Sequence, residues 1–139
     1  MIDKKLIKNK LADIEGYYKE LESVLENSAP EIIRNHLKLR SAERLFQLIV
    51  DTSIDINTHI IAESDIIIPD DYQSTFIVLA ENNILPMEFA LKIAPSVGLR
   101  NKVVHKYGKV DSKRMIGDVK NEIGDYLKYM KLINEYLKK

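Results

Sequence analysis

Apolar side chains at Ile7, Leu11, Ile14, Tyr18, Leu21 and Leu25 recur at spacings of 4, 3, 4, 3 and 4, which puts all six on one stripe of an α-helix. The spacing predicts an amphipathic helix over residues 2–26. Ile116, Val119, Ile123, Tyr126, Met130, Ile133 and Leu137 repeat the pattern over 112–137, behind Asp111 or Ser112 as the N-cap. The two end helices are expected to pack side by side. Between them, Asn27 or Ser28 can cap a helix with Pro30 in its first turn, and apolar residues run on through Ile33, Leu37, Leu45, Leu48, Ile49, Ile56 and Ile60. This predicts one long second helix ending near 62–64. Ile66-Ile67-Ile68 lacks a second β-rich run to pair with and reads as a connecting loop packed on the core. Pro69-Asp70-Asp71 starts a short helix that Asn82-Asn83 ends, and Pro86 starts another. Pro95 interrupts that one, because it lacks an N–H and disfavours helical geometry at Ala94, so a kink or a new helix start is expected. Gly108 ends the segment after Tyr107.

The predicted architecture is all-α, an antiparallel up-and-down bundle of four to five helices in which neighbours along the chain pack as neighbours in space. With 139 residues, 45% apolar and 30% charged, and only 5 Gly and 4 Pro, the chain suits one domain over residues 1–139 with few turns. Zero Cys removes disulfides, thiolate nucleophiles and Cys-based zinc sites. No run of about 18 uncharged apolar residues occurs, and the N-terminal MIDKKLIKNKLADIE lacks an apolar core and a small-residue cleavage site. A cytoplasmic protein without membrane contact is the expectation.

Net charge is zero, yet residues 1–70 carry 9 Lys/Arg against 13 Asp/Glu while residues 71–139 carry 12 against 8. Lys92, Arg100, Lys102, Lys106, Lys109, Lys113 and Arg114 face only Asp111 in their stretch, a local excess that suits phosphate contacts as well as a solvated charged face. Lys102, Lys106 and Lys109 are the candidate RNA-binding cations.

Arg100-Asn101-Lys102-Val103-Val104-His105-Lys106-Tyr107 is the one place where Arg, Asn, His and Tyr fall within eight residues. On a helix Asn101 and His105 are i,i+4 neighbours, so the amide can hydrogen-bond one imidazole nitrogen and orient the other outward. Arg100 lies roughly 140° round the axis from His105. Either its long side chain reaches around a groove, or a two-fold axis brings Arg100 and His105 of two subunits together. Cleavage of RNA by its own 2′-hydroxyl needs a base, an acid and positive charge on the pentavalent phosphate. His supplies either proton role near neutral pH, and Arg supplies fixed bidentate charge. A metal nuclease would want carboxylates beside the His, and residues 96–110 contain none.

Arg100-x4-His105-x-Tyr107, behind a bundle and before a long C-terminal helix, resembles the RX4HXY motif of the HepT family in the HEPN superfamily, over nearly the whole chain. The resemblance implies a homodimeric helical bundle with metal-independent endoribonuclease activity, no cofactor and a toxin role. It also implies a cognate MntA-type minimal nucleotidyltransferase antitoxin that transfers AMP to the motif tyrosine. By position, Arg100 and His105 are then the catalytic pair, Asn101 a supporting residue and Tyr107 the modified one. Phosphate on Tyr107, two residues from His105, would block the cleft and repel RNA.

His36 and His59 lack motif partners and are assigned to structure or surface; no metal site is expected. Arg40, Arg44, Gln47, Asp51 and Asp55 form a polar row along the second helix, which either braces Arg100, crosses a dimer seam, or is an exposed salt-bridged face. The competing function is a non-catalytic helical subunit that binds a nucleotide or a nucleotidyltransferase through the same Arg and His.

Overall fold

The computed structural model describes residues 1–105 and 111–139, and among these it is all-α, with eight helical segments and no strand. They are α1 (Lys4–Leu25), α2 (Ala29–Arg34), α3 (His36–Glu63), α4 (Gln73–Glu81), α5 (Met87–Ile93), α6 (Pro95–His105), α7 (Ser112–Glu122) and α8 (Asp125–Leu137). The expected bundle is there, with the second and last of its long predicted helices divided. Gly108 and Tyr107, expected to close α6, lie outside the described residues.

The predicted second helix is two helices. Asn35 is extended at φ −107, ψ 102, and its side chain accepts hydrogen bonds from the backbone N–H groups of Leu37 and Lys38. An Asn that can satisfy two orphan amides at a new helix start outcompetes the apolar periodicity running across it. Asp3, Ser28 and Asp111 cap α1, α2 and α7 in the same way. Ile123 and Gly124 keep right-handed helical angles but close i,i+3 bonds to Tyr126 and Leu127, so α7 and α8 follow one path through a tightened turn.

α3 is the axis of the bundle, with α1, α2, α4 and α6 packed on it. α1 runs antiparallel to it: His59 Nε2 accepts from the Asp3 amide, Lys10 pairs with Asp55, and at the far end Lys38 Nζ donates to Asn27. The buried stripe of α1, Ile7, Leu11, Ile14 and Leu21, therefore lies chiefly on α3 rather than on the last helix. α1 and α8 do meet, but an open groove lined by Leu11, Tyr18, Leu127 and Met130 runs between them.

α3 and α4 end alike. Asp65 (φ 56) and Asn83 (φ 64) turn left-handed, and the following Ile66 and Ile84 amides reach back five residues to Ile61 and Leu79. Ile66 alone of the isoleucine run packs on the core; Ile67 and Ile68 are exposed, because the turn at Asp65 faces them outward.

Buried polar bonds tie the helices into one register. Tyr129 on α8 donates to Asn57 Oδ1 on α3 at 2.6 Å, and Asn57 Nδ2 donates to Thr75 Oγ1 on α4 at 3.1 Å. Ser96 at the start of α6 donates to the Ile93 carbonyl, which leaves Tyr126 as donor in the 2.6 Å bond between the two hydroxyls. Burial pushes both phenols well above their ordinary range. Among the described residues, no helix is long and apolar enough to cross a membrane.

Candidate active site

Pro95 occupies the first position of α6, where its missing N–H costs nothing, and starts the helix that carries the candidate residues. Leu99 and Val103 bury one face of α6, and Val97 is buried on the other side of the helix. That leaves Arg100 half-buried at the α3 side and His105 exposed at the helix end.

Arg100 is held from two directions. Its Nε donates to Asp51 Oδ1 on α3 at 2.7 Å, and its Nη1 donates to Asn101 Oδ1 at 2.9 Å. The side chain is 17% exposed, against 33% for Asp51. Among the described residues these contacts engage two of the five guanidinium N–H groups, and the fork can present others to an anion. Asn101 Oδ1 thus accepts from the arginine, a contact that the i,i+4 spacing to His105 did not announce.

Arg100, Asn101 and His105 line one open groove of about 470 Å³, with Val97 as its floor and Asp70, Asp71, Tyr72 and Gln73 as its opposite wall. Arg100 and His105 of one chain thus open onto the same groove despite their angular offset on α6. A second groove, about 680 Å³, continues on the other side of Arg100 past Asp51, Asp55, Thr58, His59 and Lys10.

The polar row on α3 divides. Arg40 pairs with Glu43 at 2.7 Å and Arg44 donates to Gln47, both within the helix, whereas Asp51 braces Arg100 and Asp55 meets Lys10 at 3.6 Å. His36 is exposed, and His59 accepts from the Asp3 amide at the start of α1 while lining the second groove. Lys102 is exposed on α6 and acts electrostatically on Glu122 of α7. Burial, then Asp118 and Asp125, push the Glu122 carboxyl up against the opposing pull of Lys102. Its Oε2 is buried with no hydrogen-bond partner among the described residues. Tyr107, Lys106 and Lys109 lie outside the described residues.

The sequence reading missed the acidic wall. Asp70 and Asp71, from the α3–α4 connection, line the same groove as Arg100 and His105. Hydrogen bonds from the Ser74 amide and hydroxyl hold the Asp71 carboxyl below its ordinary range, so it stays ionised. No local pattern announces such a wall; Asp51, by contrast, had a signal in its i,i+4 row.

The chain is similar to several known proteins. The family described as ribonuclease HepT-like matches residues 14–133. The chain is similar to the tRNA nuclease HepT of Aphanizomenon flos-aquae, 32% identical over 136 residues that cover 98% of this chain and 92% of the relative. It is similar to the mRNA nuclease HepT of Shewanella oneidensis, 26% identical over 129 residues covering 92% and 96%. In three dimensions it resembles a tri-AMPylated Shewanella oneidensis HEPN toxin solved in complex with an MNT antitoxin. That match has a TM-score of 0.86 at 24% identity and covers 96% of this chain and 99% of the toxin.

Proposed function

Since the chain belongs to the ribonuclease HepT-like family, we propose that it is a metal-independent endoribonuclease toxin that cuts with Arg100 and His105. The observation that carries this reading is the groove they share, with the arginine pinned by Asp51 and Asn101 beside it. In the reaction the ribose 2′-oxygen bonds to the adjacent phosphorus as the 5′-oxygen leaves. One proton departs from the 2′-hydroxyl and one arrives on the leaving oxygen, giving a 2′,3′-cyclic phosphate and a 5′-hydroxyl. Arg100 stabilises charge on the non-bridging oxygens, and His105 moves a proton. A homodimer that juxtaposes two such sites supplies a second histidine, so that one copy acts as base and the other as acid.

The partner is an MntA-like nucleotidyltransferase antitoxin, which silences the toxin by AMP transfer to Tyr107; the antitoxin complex and AMPylated state of the similar HEPN toxin support this. Lys102, Lys106 and Lys109 add charge for RNA near the site.

The test is cleavage of a structured RNA by metal-stripped protein in EDTA. Wild type should cut and leave 2′,3′-cyclic phosphate ends, while His105→Ala and Arg100→Ala should be inactive though folded. A folded wild-type protein, unmodified at Tyr107 and inert here, would sink the ribonuclease reading in favour of a nucleotide- or partner-binding subunit. His105→Gln separates the two, since binding needs no titrating imidazole.

A further inference from the structure

We propose that Tyr72 is a base-stacking platform of the cleavage groove, across which a single-stranded stretch of RNA passes with its phosphate at Arg100. The proposal rests on the ribonuclease reading and adds a substrate-binding residue outside the motif.

Three observations meet at Tyr72. Its side chain is 59% exposed, an aromatic ring left in solvent at the end of the α3–α4 connection. Among the described residues lining the grooves on either side of Arg100, only Tyr72 and Arg100 line both. A strand lying in the trough therefore passes this ring wherever it passes the guanidinium. The backbone beneath the ring is also anchored: the Tyr72 carbonyl accepts from Thr75 Oγ1 at 2.6 Å and from the Thr75 amide at 3.1 Å. Thr75 is in turn held by buried Asn57. A ring presented on a pre-ordered turn binds without first ordering the chain that carries it.

The surroundings specify what stacks there. Asp70 and Asp71 line the same groove as the ring, and Asp71 is kept ionised by Ser74. Two carboxylates repel backbone phosphates but accept hydrogen bonds from base N–H groups, so a base faces this wall while the phosphate sits at Arg100. Stacking on exposed aromatic rings beside a cationic contact is how proteins hold unpaired RNA, whose bases are free to splay out. The two relatives named above are nucleases of different RNAs, so choice of RNA calls for contacts beyond the motif.

The chain contains no tryptophan, so Tyr72→Trp installs a sole tryptophan at the site, excited selectively at wavelengths where tyrosine does not absorb. In a His105→Ala background, which prevents cleavage, a single-stranded oligoribonucleotide should quench that tryptophan at the same concentrations that raise the anisotropy of the labelled oligonucleotide. Tyr72→Ala should weaken binding roughly ten- to hundredfold and raise KM more than it lowers kcat, while Tyr72→Phe, which keeps the ring, should bind like wild type. Unquenched tryptophan despite anisotropic binding would overturn the proposal while leaving the ribonuclease reading intact. A Tyr72→Ala variant that binds RNA normally but sediments with altered mass would overturn it too, assigning the ring to a contact between protein chains. If wild type binds no RNA at all, the ribonuclease reading falls and takes this proposal with it.

Discussion

At the residue scale, the site depends on fixing one flexible arginine. Asp51 holds its Nε edge and Asn101 one Nη, so the guanidinium loses little rotamer freedom on meeting phosphate. Asp51→Ala should therefore lower kcat about 100-fold while circular dichroism and Tm stay near wild type, with Asp51→Asn, which keeps an acceptor, less affected. Glu122 poses a different problem, since its carboxyl is pushed up chiefly by burial. The folded state holds that proton more tightly than the unfolded chain does, so the group's contribution to stability is fully present below its ordinary value of 4.5 and is lost as pH rises through the raised folded value. Glu122→Gln should accordingly raise Tm at pH 7 and leave it unchanged at pH 4, as measured by thermal melts across that range. An equal shift at both pH values would point to packing instead of charge.

Among the elements, the break between α2 and α3 is the most informative. Asn35 accepts from two amides that otherwise have no partner at the start of α3. Asn35→Ala removes that cap at a cost of about 1 kcal/mol, and chemical denaturation should show a lower midpoint with an unchanged m-value. α6 illustrates the complementary case. Pro95 starts the helix and Ser96 anchors it to Tyr126, so the register that places Arg100 toward α3 is set at the end farthest from His105.

For the whole molecule, what matters is that α3, α4, α6 and α8 keep their mutual register, because the two walls of the groove come from different parts of the chain. Asn57 is the hub, bonded to Tyr129 on one side and Thr75 on the other. Tyr129→Phe leaves Asn57 Oδ1 without that donor in a buried setting, at a cost of about 1–3 kcal/mol. Tm should fall roughly 4–10 °C. A shift of under a degree in calorimetry would show that the network is dispensable.

The fold class was open to reading because helical periodicity is local: the stripes of α1, α7 and α8, the Ser28 and Asp111 caps and the restart at Pro95 each depend on residues within a few positions of one another. The Arg100, Asn101 and His105 grouping was visible for the same reason. Which residues Arg100 and Asn101 would bond was not. Asp51 lies 49 residues from Arg100 in sequence, and Asp70, Asp71 and Tyr72 reach the groove only because the turn at Asp65 returns the chain across α3. Asn35 ended one helix and began another against the apolar pattern, since a cap competes on hydrogen bonds that periodicity does not register. Short-range chemistry thus decided the helices and the catalytic candidates. The acidic wall, the brace on the arginine and the exposed ring came from long-range packing, where contacts depend on how helices cross rather than on which residues are neighbours in the chain.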